Sequence, residues 1–280
     1  MINRPMFSVL MPVYFKDDPK HLLEALRSIC TQTILPDELV VVHDGEIPSQ
    51  IRNILLSFLD ESLGTFRVKI VGYEHNMGLG YALNFGLNHC ENEIIFRMDA
   101  DDICRDNRFE LQINAFIDNP EVALIGGIIE EFNEIPGDLN IFRTVPLSTE
   151  DIRDKTSYRC PFNHMTVAFR KKAVFLAGSY KPQLFYEDYY LWFRLLKNHN
   201  CLNLPHVLVD ARIGQGMIKR RSGLSLFRAE FSFQKRLHDE KLINTFVFLR
   251  NVLIRCPIRL IPPNLLSYLY KSFLRSNLLA

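Results

Sequence analysis

The sequence predicts an α/β fold with a mainly parallel central sheet flanked by helices. Three observations lead there. Short apolar runs alternate with segments whose apolar residues recur at helical spacing, the pattern of strand–helix–strand units. The 280 residues, 48% hydrophobic and 23% charged, suffice for a large core without disulfide or metal staples and exclude a disordered or collagen-like chain. Acidic residues gather just after apolar runs, where an open α/β sheet holds its ligands.

The elements follow in order. Residues 7–13 form a buried strand running into Pro12, Val13 and Tyr14. Leu22, Ala25, Leu26, Ile29 and Cys30 then mark a helix, and Pro36 closes that segment. Residues 38–43 are a second, Val-rich strand ending at Asp44-Gly45, and 68–71 are a third. After Asn76-Met-Gly-Leu-Gly80 a helix covers 81–89, and strand 93–98 ends in Asp99-Ala-Asp-Asp102. Phe109, Ile113, Phe116 and Ile117 share the face of a helix stopped by Asn119-Pro120. Strands at 122–128 and 165–170 follow, then a helical stripe of Leu191, Trp192, Leu195 and Leu196. From Gly214 onward the pattern is basic and helical, broken by Pro257 and Pro262-Pro263.

Whole-chain charge is balanced, 33 Lys+Arg against 32 Asp+Glu, which gives no reason to expect a nucleic-acid partner. The balance hides an asymmetry. Residues 217–280 hold 12 Lys/Arg and 3 Asp/Glu, a net of +9, so residues 1–216 carry −8. An acidic body with a basic tail predicts that the tail meets something anionic. The six cysteines form no C-x-x-C pair and read as buried thiols of a reducing compartment. The first residues run straight into a strand pattern and offer no signal-peptide cleavage site. No uncharged apolar run reaches the roughly 18 to 20 residues of a membrane span.

Three features fall at predicted strand ends: Asp44, Asn76 to Gly80, and Asp99 to Asp102. Three carboxylates in four residues demand a cation or strong donors, and hard oxygen ligands suit Mg²⁺ or Mn²⁺. The competing reading makes Asp102 or Asp106 the cap of the next helix. Gly78 and Gly80 admit a ligand close to the backbone or simply make a turn, and no G-x-G-x-x-G is present. Asp188 lies three, four and seven positions before Leu191, Trp192 and Leu195, on their inward face. It is either a helix cap or a base. His164 stands alone and reads as structural.

Together these residues resemble the family 2 inverting glycosyltransferases with the GT-A fold. The resemblance spans residues 6–212. It rests on Met11-Pro-Val-Tyr14, Gln32-Thr33 with Pro36 and Glu38, Val40-Val-Val-His-Asp44-Gly45, Asn76 to Asn84, Arg97-Met-Asp-Ala-Asp-Asp102 and Tyr186-Glu-Asp188. The nearest likeness is to bacterial enzymes of O-antigen, capsule and amylovoran assembly. The resemblance implies a catalytic domain over 1–213, with a nucleotide-sugar half to about 105 and an acceptor half beyond, and a basic helical extension over 214–280. It implies that Pro12, Val13, Tyr14 and Asp44, with Asn76 and Gly78, hold the nucleotide. Asp99 would meet the ribose and the metal, Asp101 would bind the metal, and Asp188 would be the general base. His43-Asp44-Gly45 departs from the commoner Asp-Asp-Gly-Ser form, and Gln234-Lys-Arg-Leu237 lacks the Trp of processive synthases, which favours single-sugar addition. Arg220 and Arg221 either add charge against the diphosphate or are solvated.

The implied reaction moves one hexose from a UDP-sugar to a lipid-diphosphate-linked saccharide, with Mn²⁺ or Mg²⁺ and inversion. A nucleotidyltransferase using the same metal site and a silent scaffold of an assembly complex are the competing classes. A lipid-linked acceptor places the protein in the cytoplasm against the inner leaflet, with the basic tail either in the headgroup plane or packed on the catalytic domain. Removing residues 241–280 is then expected to release the protein and, provided the core remains folded, to leave it active on a soluble acceptor.

Overall fold

The computed structural model of the chain describes residues 4–62, 64–213 and 223–261. Strands β1 (Phe7–Tyr14), β2 (Glu38–Asp44), β3 (Arg67–Tyr73) and β4 (Ile94–Arg97) alternate with helices α1 (Pro19–Cys30), α2 (Ser49–Glu61) and α3 (Leu79–His89). Then follow β5 (Ile103–Cys104), α4 (Arg108–Asp118), β6 (Val122–Phe132), β7 (Ile141–Arg143), α5 (Thr149–Thr156), β8 (Ala168–Arg170), α6 (Lys171–Leu176), α7 (Glu187–Leu195) and β9 (Asn200–Arg212). Helices α8 (Leu224–Asp239) and α9 (Thr245–Ile258) close the described chain.

One sheet runs β3-β2-β1-β4-β8-β6-β9-β5, with β7 paired to β6. The expected parallel pairing describes β3-β2-β1-β4. Beyond β4 the sheet is mixed: β8 runs antiparallel to both β4 and β6, while β6 and β9 are parallel.

Both sheet faces are buried, which explains the unbroken apolar runs of β1 and β2. Phe7, Val9 and Met11 of β1 pack on one face with α1, α2 and α4, and Leu10 packs on the other with α3 and α7. Gly86 of α3 has a packing reason: a Cβ there would lie 2.3 Å from Leu10 Cδ1. Helix α1 starts with Pro19 after Asp18, whose carboxylate accepts the Lys20 and His21 N–H groups.

The sequence expectation stops short in several places. It leaves out α2, α5 and the 13-residue β9, and it starts β8 at residue 165, inside the 3₁₀ turn His164–Thr166. Ile117 is exposed rather than on the packed face of α4. Cys30, the last residue of α1, is exposed, not buried. The expected boundary at 213/214 falls beside residues 214–222, which lie outside the described residues. Beyond it, Ala229, Phe233, Leu237 and Ile243 join the same core as α3 and α7.

Candidate active site

Four strand ends meet on one edge of the sheet. Tyr14, at the end of β1, is in register with Asp44, at the end of β2. Leu10 of β1 pairs with Arg97, so the segment after β4 leaves the sheet beside Pro12, Val13 and Tyr14. There one carboxylate oxygen each from Asp99, Asp101 and Asp102 lies within 4.8 Å of the others. Burial and the neighbouring Asp99 charge push the Asp101 carboxyl up to about 6. Asp102 is buried and also raised. Its Oδ1 accepts the Arg212 N–H at 2.8 Å, while its buried Oδ2 has no partner among the described residues. Three crowded hard oxygens, one of them orphaned, fit a divalent cation.

The capping alternative fails. The cap position of α4 is Asn107, without a side-chain bond. Asp102 turns instead to β9, and Asp106 accepts from Thr31 at 3.3 Å.

The segment carrying the cluster is pinned from below. Fully buried Arg108 donates to the Arg97 carbonyl at 2.8 Å, and Gln112 holds the Ile125 and Thr166 carbonyls. Gln32 bonds the Arg105 carbonyl at 2.8 Å and takes the Phe109 N–H. Arg108 and Gln112 escape the sequence reading because polar residues on an otherwise apolar helix face give no periodic signal.

Asp44 is the hub of a second network. Its carboxylate accepts Tyr73 O–H, Asn76 Nδ2–H, Met77 N–H and Gly78 N–H at 2.6 to 2.9 Å. Sequence spacing alone linked Asp44, Asn76 and Gly78 only loosely; the fold joins them directly. Two glycines make the closure possible. A Cβ on Gly45 would sit 2.6 Å from the Asn76 nitrogen, and Gly78 adopts φ +88°, where side chains are strained.

Asp188 sits in the first turn of α7, whose cap position, Tyr186, makes no side-chain capping bond. Its Oδ1 accepts the next residue's N–H, that of Tyr189, at 2.7 Å. Burial raises the Asp188 pKa above 3.8, against the pull of that bond and of Arg97 and Arg143. The loop before α7 is tied to α3 by paired bonds between Asn84 and the Tyr180 backbone, 2.7 and 2.9 Å. Phe185, just before the Tyr186-Glu-Asp188 motif, holds φ +66°, a strained conformation for a bulky residue.

Arg97 connects the two acid sites. It is buried, ion-pairs with Asp99, and lies near enough to Asp188 to lower its pKa. Its Nε has no partner among the described residues. His164 accepts or donates at Tyr180 Oη, 3.0 Å away, and packs against Trp192; burial then Arg97 hold it well below 6.5, so it is a neutral structural ring.

Two further residues escaped the sequence reading. Asp17, after β1, accepts the Tyr14 N–H at 2.8 Å, and burial with the Asp101 and Asp99 charges pushes it up to about 7. Arg143 of β7 lies near Asp188, and its carbonyl is held by buried Asn163 at 3.0 Å. A signal for Asp17 existed: it follows a strand, as Asp44 and Asp99 do. Arg220 and Arg221 lie outside the described residues.

A parallel strand set with carboxylates at its ends, joined to a mixed half carrying a half-buried acid at a helix start, defines a GT-A glycosyltransferase. The chain belongs to glycosyl transferase family 2, whose family model matches residues 8–177. It is 39% identical over 274 residues to the UDP-Gal:alpha-D-GlcNAc-diphosphoundecaprenol beta-1,3-galactosyltransferase of Escherichia coli, covering 98% of each chain. It is 38% identical over 271 residues to the amylovoran biosynthesis glycosyltransferase AmsE of Erwinia amylovora, covering 95% of this chain and 98% of that one. Among solved structures, the mannosyltransferase PcManGT of Pyrobaculum calidifontis, in complex with GDP-Man and Mn²⁺, superposes with a TM-score of 0.67. That match covers 97% of this chain and 76% of the other at 16% identity, a likeness of fold. Family membership leaves the nucleotidyltransferase reading without support.

Proposed function

We propose that this glycosyltransferase moves a single hexose from a UDP-sugar to a lipid-diphosphate-linked saccharide, inverting the anomeric centre. The observation that carries the reading is the Asp99, Asp101 and Asp102 cluster, with Arg97 paired to Asp99 and acting electrostatically on the half-buried acid Asp188. The galactosyltransferase relative, named for UDP-Gal and a diphosphoundecaprenol-linked GlcNAc, supports the donor and acceptor classes. UDP-galactose is the first donor to test.

In this reading Asp99, Asp101 and Asp102 hold Mn²⁺ or Mg²⁺, which supplies positive charge against the departing diphosphate. Asp99 also faces the ribose, with Arg97 fixing its carboxylate. Pro12, Val13 and Tyr14 line the base pocket. Asp44 shapes that pocket by closing the Asn76–Gly78 loop, since its own oxygens are engaged by four donors. Asp188 takes the proton of the acceptor hydroxyl as it attacks in line. Its raised pKa makes it a stronger base than an exposed carboxylate. The acceptor's lipid brings the protein to the inner leaflet of the cytoplasmic membrane.

The test is UDP release with Mn²⁺. Wild type releases UDP in the presence of acceptor, EDTA stops it, and Asp101→Ala abolishes it with the fold intact by circular dichroism. Full activity in EDTA together with wild-type rates for Asp101→Ala would sink the metal assignment. A wild type that never releases UDP would leave the silent scaffold.

A further inference from the structure

Helix α9 is built inside out. Its polar residues face the protein. Asn251, 3% exposed, bonds Gln234 Oε1 at 2.9 Å and the Ser157 carbonyl at 3.0 Å. Arg255 pairs with Glu230 at 2.9 Å, and Arg250 lies 3.9 Å from the Tyr158 ring centroid. Val247 and Phe248 pack on the core, but four large apolar residues face away: Phe246 is 75% exposed, Leu249 52%, Leu253 74% and Ile254 56%. Phe246, Leu249 and Leu253 stand at i, i+3 and i+7, one stripe of the helix. Contiguous apolar surface of this kind marks a docking face.

We infer that α9 is a membrane anchor that lies in the bilayer interface with the Phe246, Leu249 and Leu253 stripe inserted below the headgroups. The inference rests on the lipid-linked acceptor of the proposed function and names the face that meets the lipid. Charge favours a bilayer as the occupant. Residues 241–280 contain six Lys/Arg and no Asp or Glu, so nothing there repels an anionic leaflet. Among the described residues no helix is long and apolar enough to cross a membrane, which leaves the interfacial mode. The geometry also changes the expected physics. Arg255 is turned inward onto Glu230 and Arg250 onto the Ser157 carbonyl, so neither is spread on the lipid. Apolar insertion, rather than surface charge, holds α9 down.

The test is sedimentation of the full chain with phosphatidylethanolamine/phosphatidylglycerol vesicles. Wild type pellets and stays bound in about 0.5 M NaCl, where surface charges are screened within a few ångströms. The variant Phe246→Ser/Leu249→Ser/Leu253→Ser loses at least about tenfold in bound fraction. Its melting temperature and its kcat on a water-soluble acceptor stay at wild-type values. Three results overturn the inference. Wild type ignores the vesicles or leaves them in salt. The variant melts at markedly lower temperature, so the chain itself covers the stripe. Or the variant turns a dimer into a monomer by light scattering while vesicle binding persists, so a second copy covers it. Turnover of a lipid-diphosphate acceptor by wild type is scored separately, so a wrong acceptor and a wrong face give different results.

Discussion

Asp188 carries the sharpest single-residue consequence. Burial raises its pKa above the 3.8 of an exposed aspartate. A base works only when ionised, so the acid limb of the kcat profile falls at a pH above 3.8 and the rate recovers as pH rises through the raised value. Asp188→Asn keeps the shape and the acceptor oxygen for the Tyr189 N–H but removes the proton acceptor. It lowers kcat by about 10²-fold or more, leaves donor affinity near wild type, and flattens the acid limb. An unchanged kcat would reduce Asp188 to a helix-start residue. At this scale the sequence spoke clearly where acids follow apolar runs. It could not show that Asp102 splits its carboxylate between β9 and the cluster, because Arg212 lies 110 positions away. Nor could it reveal that buried Arg97, paired with Asp99, also acts electrostatically on Asp188, 91 positions along the chain.

Helices α8 and α9 tie the C-terminal region to the helix that carries Asp188. Phe233 of α8 is fully buried and stacks on Tyr186 at 4.7 Å with rings 4° from parallel, directly before the Glu187-Asp188 pair. Glu230, also fully buried, accepts from Tyr186 O–H at 2.7 Å, Gln234 at 2.9 Å, Arg255 at 2.9 Å and Arg259 at 2.8 Å. Burial alone would raise the Glu230 pKa, but Arg255, Tyr186, Arg259 and Gln234 outweigh it and lower the pKa below 4.5. A depressed pKa stabilises the fold above the unfolded value of 4.5, and that contribution fades as pH falls through the folded value. Glu230→Ala leaves Arg255 and Arg259 without this partner and costs about 3–5 kcal/mol, read from denaturant midpoints. A loss below about 1 kcal/mol would show that the cluster is not coupled to the fold. The condition that the core stays folded without residues 241–280 meets the same contacts: truncation takes away Arg255 and Arg259, two partners of the buried Glu230 carboxylate. Helical spacing announced these helices. Their inward charges were invisible, since a Glu and two Arg read as a solvated face until the packing is known.

At the scale of the whole molecule, the apolar runs marked the four strands of the β3-β2-β1-β4 half though not their order, because strands buried on both faces leave unbroken apolar runs. The other half was harder to read. Strand β9 carries Asn200, Asn203, Pro205 and His206 along with its apolar residues, and its register with β6 shifts near Gly127 and Ile128. That irregular strand nonetheless holds the centre together: Asp210 accepts from Arg105 at 2.6 Å, and the Arg212 N–H donates to Asp102 at 2.8 Å. The acidic body and basic tail also resolve differently from a simple division of charge, since part of the tail's charge is spent on Glu230.

The central claim is that this edge of the sheet runs one in-line displacement between the carboxylate cluster and Asp188. Proton NMR of the product tests it most directly, with wild-type enzyme, UDP-galactose, Mn²⁺ and a short-chain lipid-diphosphate GlcNAc acceptor. The account predicts a single new β-linked hexose with equimolar UDP, and no product from Asp188→Asn on the same timescale. An α-linked product, or pyrophosphate in place of UDP, would contradict it.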